Sequence, residues 1–279
     1  NDGDPNDPEN PKAPIPDDPN QLVMPFILAD ENATASSIGD EPFQFYSKFP
    51  NIQVAVDANR KNGIVNLLQL PKKPDVILLD DAFQHRKVKA GFYILLTAYD
   101  DLFCDDYILP FGNLREPSSG KKRADMIIVT KCPNDLSEIA QLKIREKLNV
   151  KQQVFFTTIQ YDDYVFGNDS QLLVSEIKSE SKVLVAGIAK PKLFFDFLKN
   201  EEDETLVFPD HHHFSKQDCE QILAKANGRK IITTEKDFVR LNGLLPKAQL
   251  FYLPIKSTFL NTNIDKTIED YVGQSSRNS

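Results

Sequence analysis

The 279-residue sequence has no tryptophan, only three cysteines and no run of 18 apolar residues. A helix that crosses a membrane needs about 20 mostly apolar residues, so this absence predicts a soluble chain. Cys104, Cys132 and Cys219 are odd in number and widely spaced, which is typical of a reducing cytoplasm and not of a disulfide framework. The acidic start of the chain also lacks the basic and apolar regions of a signal peptide.

Basic residues are in deficit, because 33 Lys and Arg against 41 Asp and Glu give a formal net charge of -8. A general nucleic-acid-binding protein presents a basic face, so we expect no such function here. Any phosphate-rich ligand must instead be held by a local group of residues. Apolar residues make up 41% of the chain, which is enough for the core of one large or two modest domains.

The phosphate-binding pattern G-x-x-x-x-G-K-[ST] is absent as well. In proteins that have this loop, its backbone amides surround the phosphates, its lysine reaches the β and γ oxygens, and its hydroxyl binds Mg²⁺. The one Gly-Lys pair in this sequence, Gly120-Lys121, lacks the earlier glycine, and Arg115 stands at that position.

Apolar runs of strand length recur along the chain, and several are nearly continuous, as in strands buried on both faces of a parallel sheet. The runs are Gln53–Val56, Val76–Leu79, Tyr93–Leu96, Met126–Val129, Val154–Thr157, Val183–Ala186, Ile231–Thr233 and Leu250–Leu253. Because helical patterns lie between some of them, the sequence predicts an α/β fold with a mostly parallel sheet flanked by helices and a second, smaller α/β lobe.

Helix starts are marked by three local signals. Asp135 and Glu138 have the spacing of a capping box, Pro191 suits a first helical turn, and Ser215 precedes an amphipathic pattern. Along the chain we expect a disordered acidic, proline-rich segment (1–22), a first lobe (23–160), a β-rich linker (161–181), a C-terminal lobe (182–273) and a disordered tail (274–279).

Acidic residues follow the run Val76–Leu79 directly, as Asp80 and Asp81. A carboxylate at the carboxyl end of a strand can hold Mg²⁺ near a phosphate, but an acidic pair there can also form a turn or cap a helix. Asp40 and Glu41, after Gly39, likewise suit the cap of a helix near Pro42.

Two further loops combine opposite charges. Arg115 and Glu116 could serve an anionic substrate and a metal, or could form an exposed ion pair. The segment Glu235–Asp237 follows a strand, and an ion pair is the simplest expectation for it.

Three of the four histidines are consecutive, from His211 to His213. Neighbouring residues cannot all face one metal without unusual backbone geometry, so zinc binding is disfavoured. A general acid, general base or orienting role for one imidazole fits the chemistry of histidine better.

Taken together, nine segments occur in the order found in tetraacyldisaccharide 4'-kinases, and the chain resembles that family from about Phe26 to Val272. The segments are LADENATA (Leu28–Ala35), GDEP (Gly39–Pro42), VAVDANR (Val54–Arg60), VILLDDAFQHR (Val76–Arg86), LPFGNLREP (Leu109–Pro117), RADMIIVTK (Arg123–Lys131), VAGIAKPKLFF (Val185–Phe195), FPDHHHF (Phe208–Phe214) and TTEKDFVRL (Thr233–Leu241).

The resemblance implies a P-loop-kinase-like core that transfers the γ-phosphate of ATP to the 4'-hydroxyl of a tetraacyldisaccharide 1-phosphate in lipid A biosynthesis. The implied cofactors are ATP and Mg²⁺. The implied partners are the lipid disaccharide and the cytoplasmic face of the inner membrane, on which the family is peripheral.

The resemblance also assigns roles by motif match. Asp40 would accept the hydroxyl proton and would pair with a histidine of the 211–213 tract. Of the three histidines, His211 is the first choice for this partner. The residues assigned to Mg²⁺ are Asp80, Asp81, Glu41 and Glu116, and Arg115 is assigned to a phosphate of substrate or nucleotide. Lys131 is a further candidate for nucleotide contact, because it lies at the end of its strand.

The family also carries a Gly-Gly-Thr-Gly-Lys-Thr loop ahead of GDEP and an amphipathic N-terminal helix that docks on the membrane, and this sequence has neither. We therefore expect a truncated kinase that is weak or inactive alone. The alternatives are a non-catalytic protein that binds the lipid disaccharide or complements a P-loop fragment, and a metal-dependent hydrolase built on the histidine tract.

Overall fold

Residues 25–210, 212–260 and 264–277 are described by a computed structural model. Three sheets and nine α-helices lie in these ranges. The smallest sheet is the antiparallel pair of β1 (Ile27–Leu28) and β2 (Ala55–Val56). No helix in the described ranges is long and apolar enough to span a bilayer.

A four-stranded sheet forms the first lobe. Its strands are β3 (Ile94–Ala98), β4 (Met126–Cys132), β5 (Gln153–Tyr161) and β12 (Ile255–Phe259), in the spatial order β12-β5-β4-β3. Strands β3, β4 and β5 run parallel, and β12 pairs antiparallel with β5. The chain thus returns to this sheet late, within the range 182–273 that the sequence assigned to the C-terminal lobe.

A six-stranded sheet forms the second lobe. Its strands are β6 (Tyr164–Phe166), β7 (Gln171–Leu173), β8 (Lys182–Ala186), β9 (Glu204–Val207), β10 (Lys230–Thr234) and β11 (Leu250–Leu253), in the order β7-β6-β11-β10-β8-β9. The four strands from β11 to β9 are parallel. The hairpin of β6 and β7, which lies in the segment expected to be a β-rich linker, adds an antiparallel edge to this sheet.

Helices cover both faces of the two larger sheets. They are α4 (Glu138–Leu148), α5 (Val174–Ser179), α6 (Lys192–Leu198), α7 (Lys216–Ala226), α8 (Glu235–Leu241) and α9 (Asp265–Arg277). Three further helices, α1 (Ala35–Ile38), α2 (Asp40–Lys48) and α3 (Arg60–Leu68), precede them in the chain. The mixed α/β class predicted from the sequence is confirmed.

Strand β8 shows why the apolar runs predicted parallel strands well. Its residues from Val183 to Ala186 are all fully buried, because one face packs on α5 and α6 and the other on α7 and α8. A strand covered on both faces has no solvent side, so its sequence does not alternate between apolar and polar residues.

The strand predicted for the run Val76–Leu79 was wrong, because these residues form no strand. It pairs with no strand among the described residues, and Leu78 is 89% exposed. An apolar run becomes a buried strand only where a neighbouring strand takes up its backbone hydrogen bonds.

Helix caps follow the predictions in part. Ser215 caps α7 and forms a capping box with Asp218, as its position indicated. For α4 the predicted cap was wrong, since the hydroxyl of Ser137, and not Asp135, accepts from the backbone N–H of Ala140.

The ion pair between Lys182 and Asp203 is buried in the core of the second lobe. The ammonium of Lys182 is 2.6 Å from a carboxylate oxygen of Asp203, and both side chains are fully buried. Asp203 also accepts hydrogen bonds from the backbone N–H groups of Lys182 and Asn200. The two charges therefore compensate each other out of contact with water.

We predict that Asp203→Ala lowers the free energy of unfolding by about 3–5 kcal/mol, because it leaves the Lys182 ammonium buried without its partner. The exposed pair of Lys216 and Glu220, 3.9 Å apart, provides the control, and Glu220→Ala should cost at most about 1 kcal/mol. Urea unfolding of both variants measures the difference, and equal losses would contradict a buried, compensated pair.

Candidate active site

Two helices that lie far apart in the sequence bring the acidic motif of α2 to the second lobe. Gly39 precedes α2 with a φ of +95°, a conformation that glycine adopts readily. Asp40 and Glu41 occupy the first turn, where carboxylates are stabilised by the positive end of the helix dipole. This agrees with the expected helix start near Pro42.

Helix α8 packs against α2, and ion pairs join both ends of the contact. Asp40 at the start of α2 pairs with Arg240 near the end of α8, and Lys48 at the end of α2 pairs with Glu235 at the start of α8, at 2.9 Å. The two helices are therefore antiparallel. The segment Glu235–Asp237, expected as a charged loop, is instead the first turn of α8.

The Asp40 carboxylate is held by one guanidinium. Both Nε and Nη2 of Arg240 donate to the same oxygen, Oδ2, with 2.7 Å from Nε. Arg240 is nearly buried, with 6% of its side chain exposed, whereas Asp40 is 23% exposed. The sequence motif contained Arg240, but nothing in the local pattern indicated which carboxylate it binds.

Asp237 lies beneath this pair and is completely buried. Its Oδ2 accepts from the backbone N–H of Gly187 at 2.8 Å and from the hydroxyl of Thr234 at 2.7 Å. Its Oδ1 lies 3.5 Å from Nη1 of Arg240. A methyl group at Gly187 would approach that Oδ1 to 3.0 Å, so the backbone after β8 is closely fitted to the carboxylate.

Lys236 connects the histidine tract to the same region. Its ammonium lies 3.6 Å from Glu41 and 3.8 Å from Asp210. Asp210 immediately precedes His211, which lies outside the described residues, so the expected pairing of Asp40 with His211 stays a prediction. Lys236 does link Asp210, the residue before the tract, to Glu41 at the start of α2.

His212 has a different set of contacts. Its ring stacks on Phe208 with centroids 4.9 Å apart, contacts Phe214 edge-on at 5.1 Å, and bonds through Nε2 to Asp218 at 3.0 Å. These contacts fix His212 to the start of α7. Among the described residues, no group of three or more His, Cys, Asp or Glu side chains is arranged to hold a metal.

Asp80 and Asp81 are exposed and lie in a turn near Arg60, the first residue of α3. The guanidinium of Arg60 donates to their carbonyl oxygens at 3.4 and 3.1 Å. Asp81 adopts a positive φ of 42°, and its carboxylate lies 3.6 Å from Arg115, with both side chains largely exposed. The structure thus brings together three predicted site residues, Asp80, Asp81 and Arg115.

Glu116, by contrast, is bound between two arginines. Arg123 lies 2.6 Å and Arg86 3.0 Å from its carboxylate. The hydrogen bond from Arg123 is the main cause that lowers the pKa of Glu116, although partial burial opposes it. The ring of Phe83 lies 4.6 Å from the Arg123 guanidinium. The negative charge of Glu116 is therefore already compensated within the protein.

The contacts of Gly120 and Lys121 explain the presence of these two adjacent residues. A methyl group at Gly120 would come within 2.8 Å of the Glu116 carboxyl, so glycine lets the chain pass beside that group. The Lys121 ammonium donates to the carbonyl of Leu148 at the end of α4. Neither residue belongs to a phosphate-binding loop.

A cavity of about 280 Å³ lies next to this cluster, and its walls are basic and aromatic. It is lined by Phe83, His85, Arg86, Val88, Lys89, Tyr93 and Arg123. Such walls suit an anionic group. Lys131 lies elsewhere, exposed in a bulge of β4 with a φ of 59°, and its predicted contact with nucleotide stays a prediction.

Comparison with known proteins gives consistent matches. The family model described as tetraacyldisaccharide-1-P 4'-kinase matches residues 21–272. The tetraacyldisaccharide 4'-kinase of Flavobacterium johnsoniae is 64% identical over 251 residues, which are 88% of this chain and 74% of that protein. The enzyme of the same name from Bacteroides thetaiotaomicron is 42% identical over 283 residues, covering 91% of this chain and 74% of the relative.

A solved structure matches the fold. It is the crystal structure of an "apo" form of LpxK from Aquifex aeolicus in complex with ATP, with a TM-score of 0.68 and 23% identity. The match covers 91% of this chain and 76% of that one. At this identity the similarity establishes a shared architecture.

The contacts of Asp218 give a prediction about pH. Hydrogen bonds from the Ser215 hydroxyl, the Ser215 backbone and His212 lower the pKa of Asp218 from 3.8 to about 2. Because the pKa of Asp218 is lower in the folded protein than in the unfolded chain, its carboxylate stabilises the fold at pH values above the unfolded pKa. This contribution is lost as the pH falls towards about 2.

We expect Ser215→Ala to raise the pKa of Asp218 more than His212→Phe does, since the hydroxyl is the largest cause and phenylalanine keeps the ring stack. Carbon-13 NMR titration of the aspartate carboxyls measures both. A larger effect of the histidine change would show that the imidazole dominates this carboxylate.

Proposed function

This chain belongs to the tetraacyldisaccharide 4'-kinase family, and we propose that its site serves the transfer of the γ-phosphate of ATP to the 4'-hydroxyl of a tetraacyldisaccharide 1-phosphate in lipid A biosynthesis. The observation that carries the proposal is the family match over residues 21–272, which includes both lobes. Since the acceptor is a lipid, the reaction would take place at a membrane surface.

In this proposal Asp40 accepts the proton of the attacking hydroxyl. The support is geometric, because Arg240 holds Oδ2, and among the described residues no group donates to Oδ1. A general base needs one oxygen free to reach the hydroxyl while the rest of the carboxylate is fixed. His211 would assist from the adjoining tract, next to Asp210.

Asp80 and Asp81 are the residues proposed to hold Mg²⁺. They fit that ion because it is commonly bound by one or two carboxylates together with substrate phosphates, and both are exposed. When bound, the ion would neutralise charge on the phosphates. Arg115, beside Asp81, would then face a phosphate oxygen.

The other two predicted metal ligands fit less well. Glu116 is compensated by Arg86 and Arg123, and Glu41 lies near the Lys236 ammonium. We propose that Glu116 orders the arginines beside the basic cavity, and that Glu41 helps to hold the acidic start of α2 against α8.

The sequence contains no G-x-x-x-x-G-K-[ST] loop, so the phosphate cradle of the family is not provided by these 279 residues. A second candidate function is that these residues bind the lipid disaccharide without catalysis. Disaccharide binding that persists in Asp40→Ala, with no nucleotide binding by the chain, would support this second function.

We predict weak or undetectable Mg·ATP binding by the 279-residue chain, and restored binding when a P-loop-bearing segment of a relative is joined before Leu28. Phosphoryl transfer relies on positioning and electrostatics, which the loop supplies. Isothermal calorimetry on both proteins measures this. Equal affinities would mean that other residues of this chain hold the nucleotide.

For the P-loop-bearing protein, we expect Asp40→Asn to lower kcat by about 10²–10⁴-fold, the usual contribution of a general base. Asparagine can still accept the Arg240 hydrogen bonds, so the helix contact is kept. The assay follows labelled γ-phosphate onto the disaccharide. The control is Asp196→Asn, which removes an exposed carboxylate paired with Lys192, and an unchanged kcat in Asp40→Asn would eliminate the assigned base.

A further inference from the structure

Helix α8 carries four charged residues, and the roles proposed for the reaction do not account for two of them. The helix is short and carries Glu235, Lys236, Asp237 and Arg240. Of these, Asp237 and Arg240 are buried or nearly so, although burying a charge is unfavourable unless it is paired. Their arrangement therefore has to be understood as a unit.

Asp237 is the fixed end of this unit. Its carboxylate is bonded to the Gly187 backbone at the end of β8 and to Thr234 at the end of β10. Both strands lie in the middle of the parallel sheet of the second lobe. The position of Asp237 is thus set by the core and not by the surface of the protein.

Arg240 extends from that fixed point to Asp40. Its Nη1 faces Asp237, one helical turn earlier, while Nε and Nη2 face Asp40. Nη1 and Oδ1 of Asp237 make no hydrogen bond with each other, but the two buried charges attract across 3.5 Å. Because a guanidinium is planar and rigid, this attraction also orients the edge that faces Asp40. Lysine has a single ammonium and cannot set two directions in this way.

The geometry at Asp40 distinguishes positioning from blocking. Both hydrogen bonds from Arg240 end on Oδ2, and in the described part of the chain Oδ1 receives none. An arginine that blocked a carboxylate would engage both oxygens in the usual bidentate manner. Here one oxygen is anchored and the other stays available on a side chain that is partly exposed.

We propose that Arg240 is a positioning residue for Asp40, and that Asp237 and the Gly187 backbone fix Arg240 in turn. The proposal rests on the proposed function, in which Asp40 is the base. In this proposal the segment TTEKDFVRL links the core of the second lobe to α2 and holds the reactive carboxylate of Asp40.

The matched control is the other ion pair of the same helix contact. Lys48→Met removes the pair with Glu235 at the opposite end of α2, and it leaves Asp40 untouched. If Arg240 acts only by docking α8 on α2, Arg240→Met and Lys48→Met should have similar effects. If it positions Asp40, their effects on turnover should differ.

We expect Arg240→Met, in the P-loop-bearing protein, to lower kcat by about 10²-fold, the cost of a misplacement of about 1 Å, with the KM for ATP little changed. Arg240→Lys should recover only part of that loss, and Lys48→Met should stay close to the wild-type kcat. A kcat that rises in Arg240→Met, or an equal fall in Lys48→Met, would overturn the proposal.

A second measurement separates this proposal from the proposed function. In urea unfolding of the 279-residue chain, Arg240→Met and Asp40→Ala should not be additive, because each change removes the same contact. If the P-loop-bearing protein without further substitutions transfers no phosphate, the proposed function fails, and the unfolding data still decide the contact. Additive effects would show that Arg240 does not hold Asp40.

Discussion

Complete burial of the Asp237 carboxylate is the constraint on which the arrangement of the site depends. A buried charge has to be compensated, and it draws in the Gly187 backbone, the Thr234 hydroxyl and the Arg240 guanidinium. Because Arg240 then reaches Asp40, a requirement set inside the core of the second lobe determines where a carboxylate of α2 lies. The site is therefore built across the helix contact and not on a single loop.

Much of the fold could be predicted from the sequence, and the reasons are local. The run from Val183 to Ala186 is apolar because it is covered on both faces, and Ser215 caps α7 through contacts with Asp218 only three residues away. The run Val76–Leu79 looked the same as the buried strands, but apolar composition does not reveal whether a partner strand is present. That distinction depends on long-range pairing.

The sequence indicated candidate residues for the site, but it did not indicate which of them pair with each other. Asp40, Glu41, Asp80 and Asp81 were identified as candidates from their motifs, but their partners were not. Arg240 lies 200 residues from Asp40, and no local spacing connects them. Glu116 shows the same limit, since Arg86 lies 30 residues before it and converts an expected metal ligand into the centre of an ion-pair cluster. Pairings of this kind are set by the tertiary fold.

The charge order of the α2–α8 contact has a consequence for how this protein can change over generations. Helix α2 is acidic at its start and basic at its end, and α8 is acidic at its first residue and basic near its last, so only the antiparallel arrangement brings opposite charges together. A charge reversal in one helix creates like-charge repulsion that a reversal in the other can relieve. Suppressor mutations of a defect in the GDEP motif are therefore to be sought in α8, in a distant part of the gene.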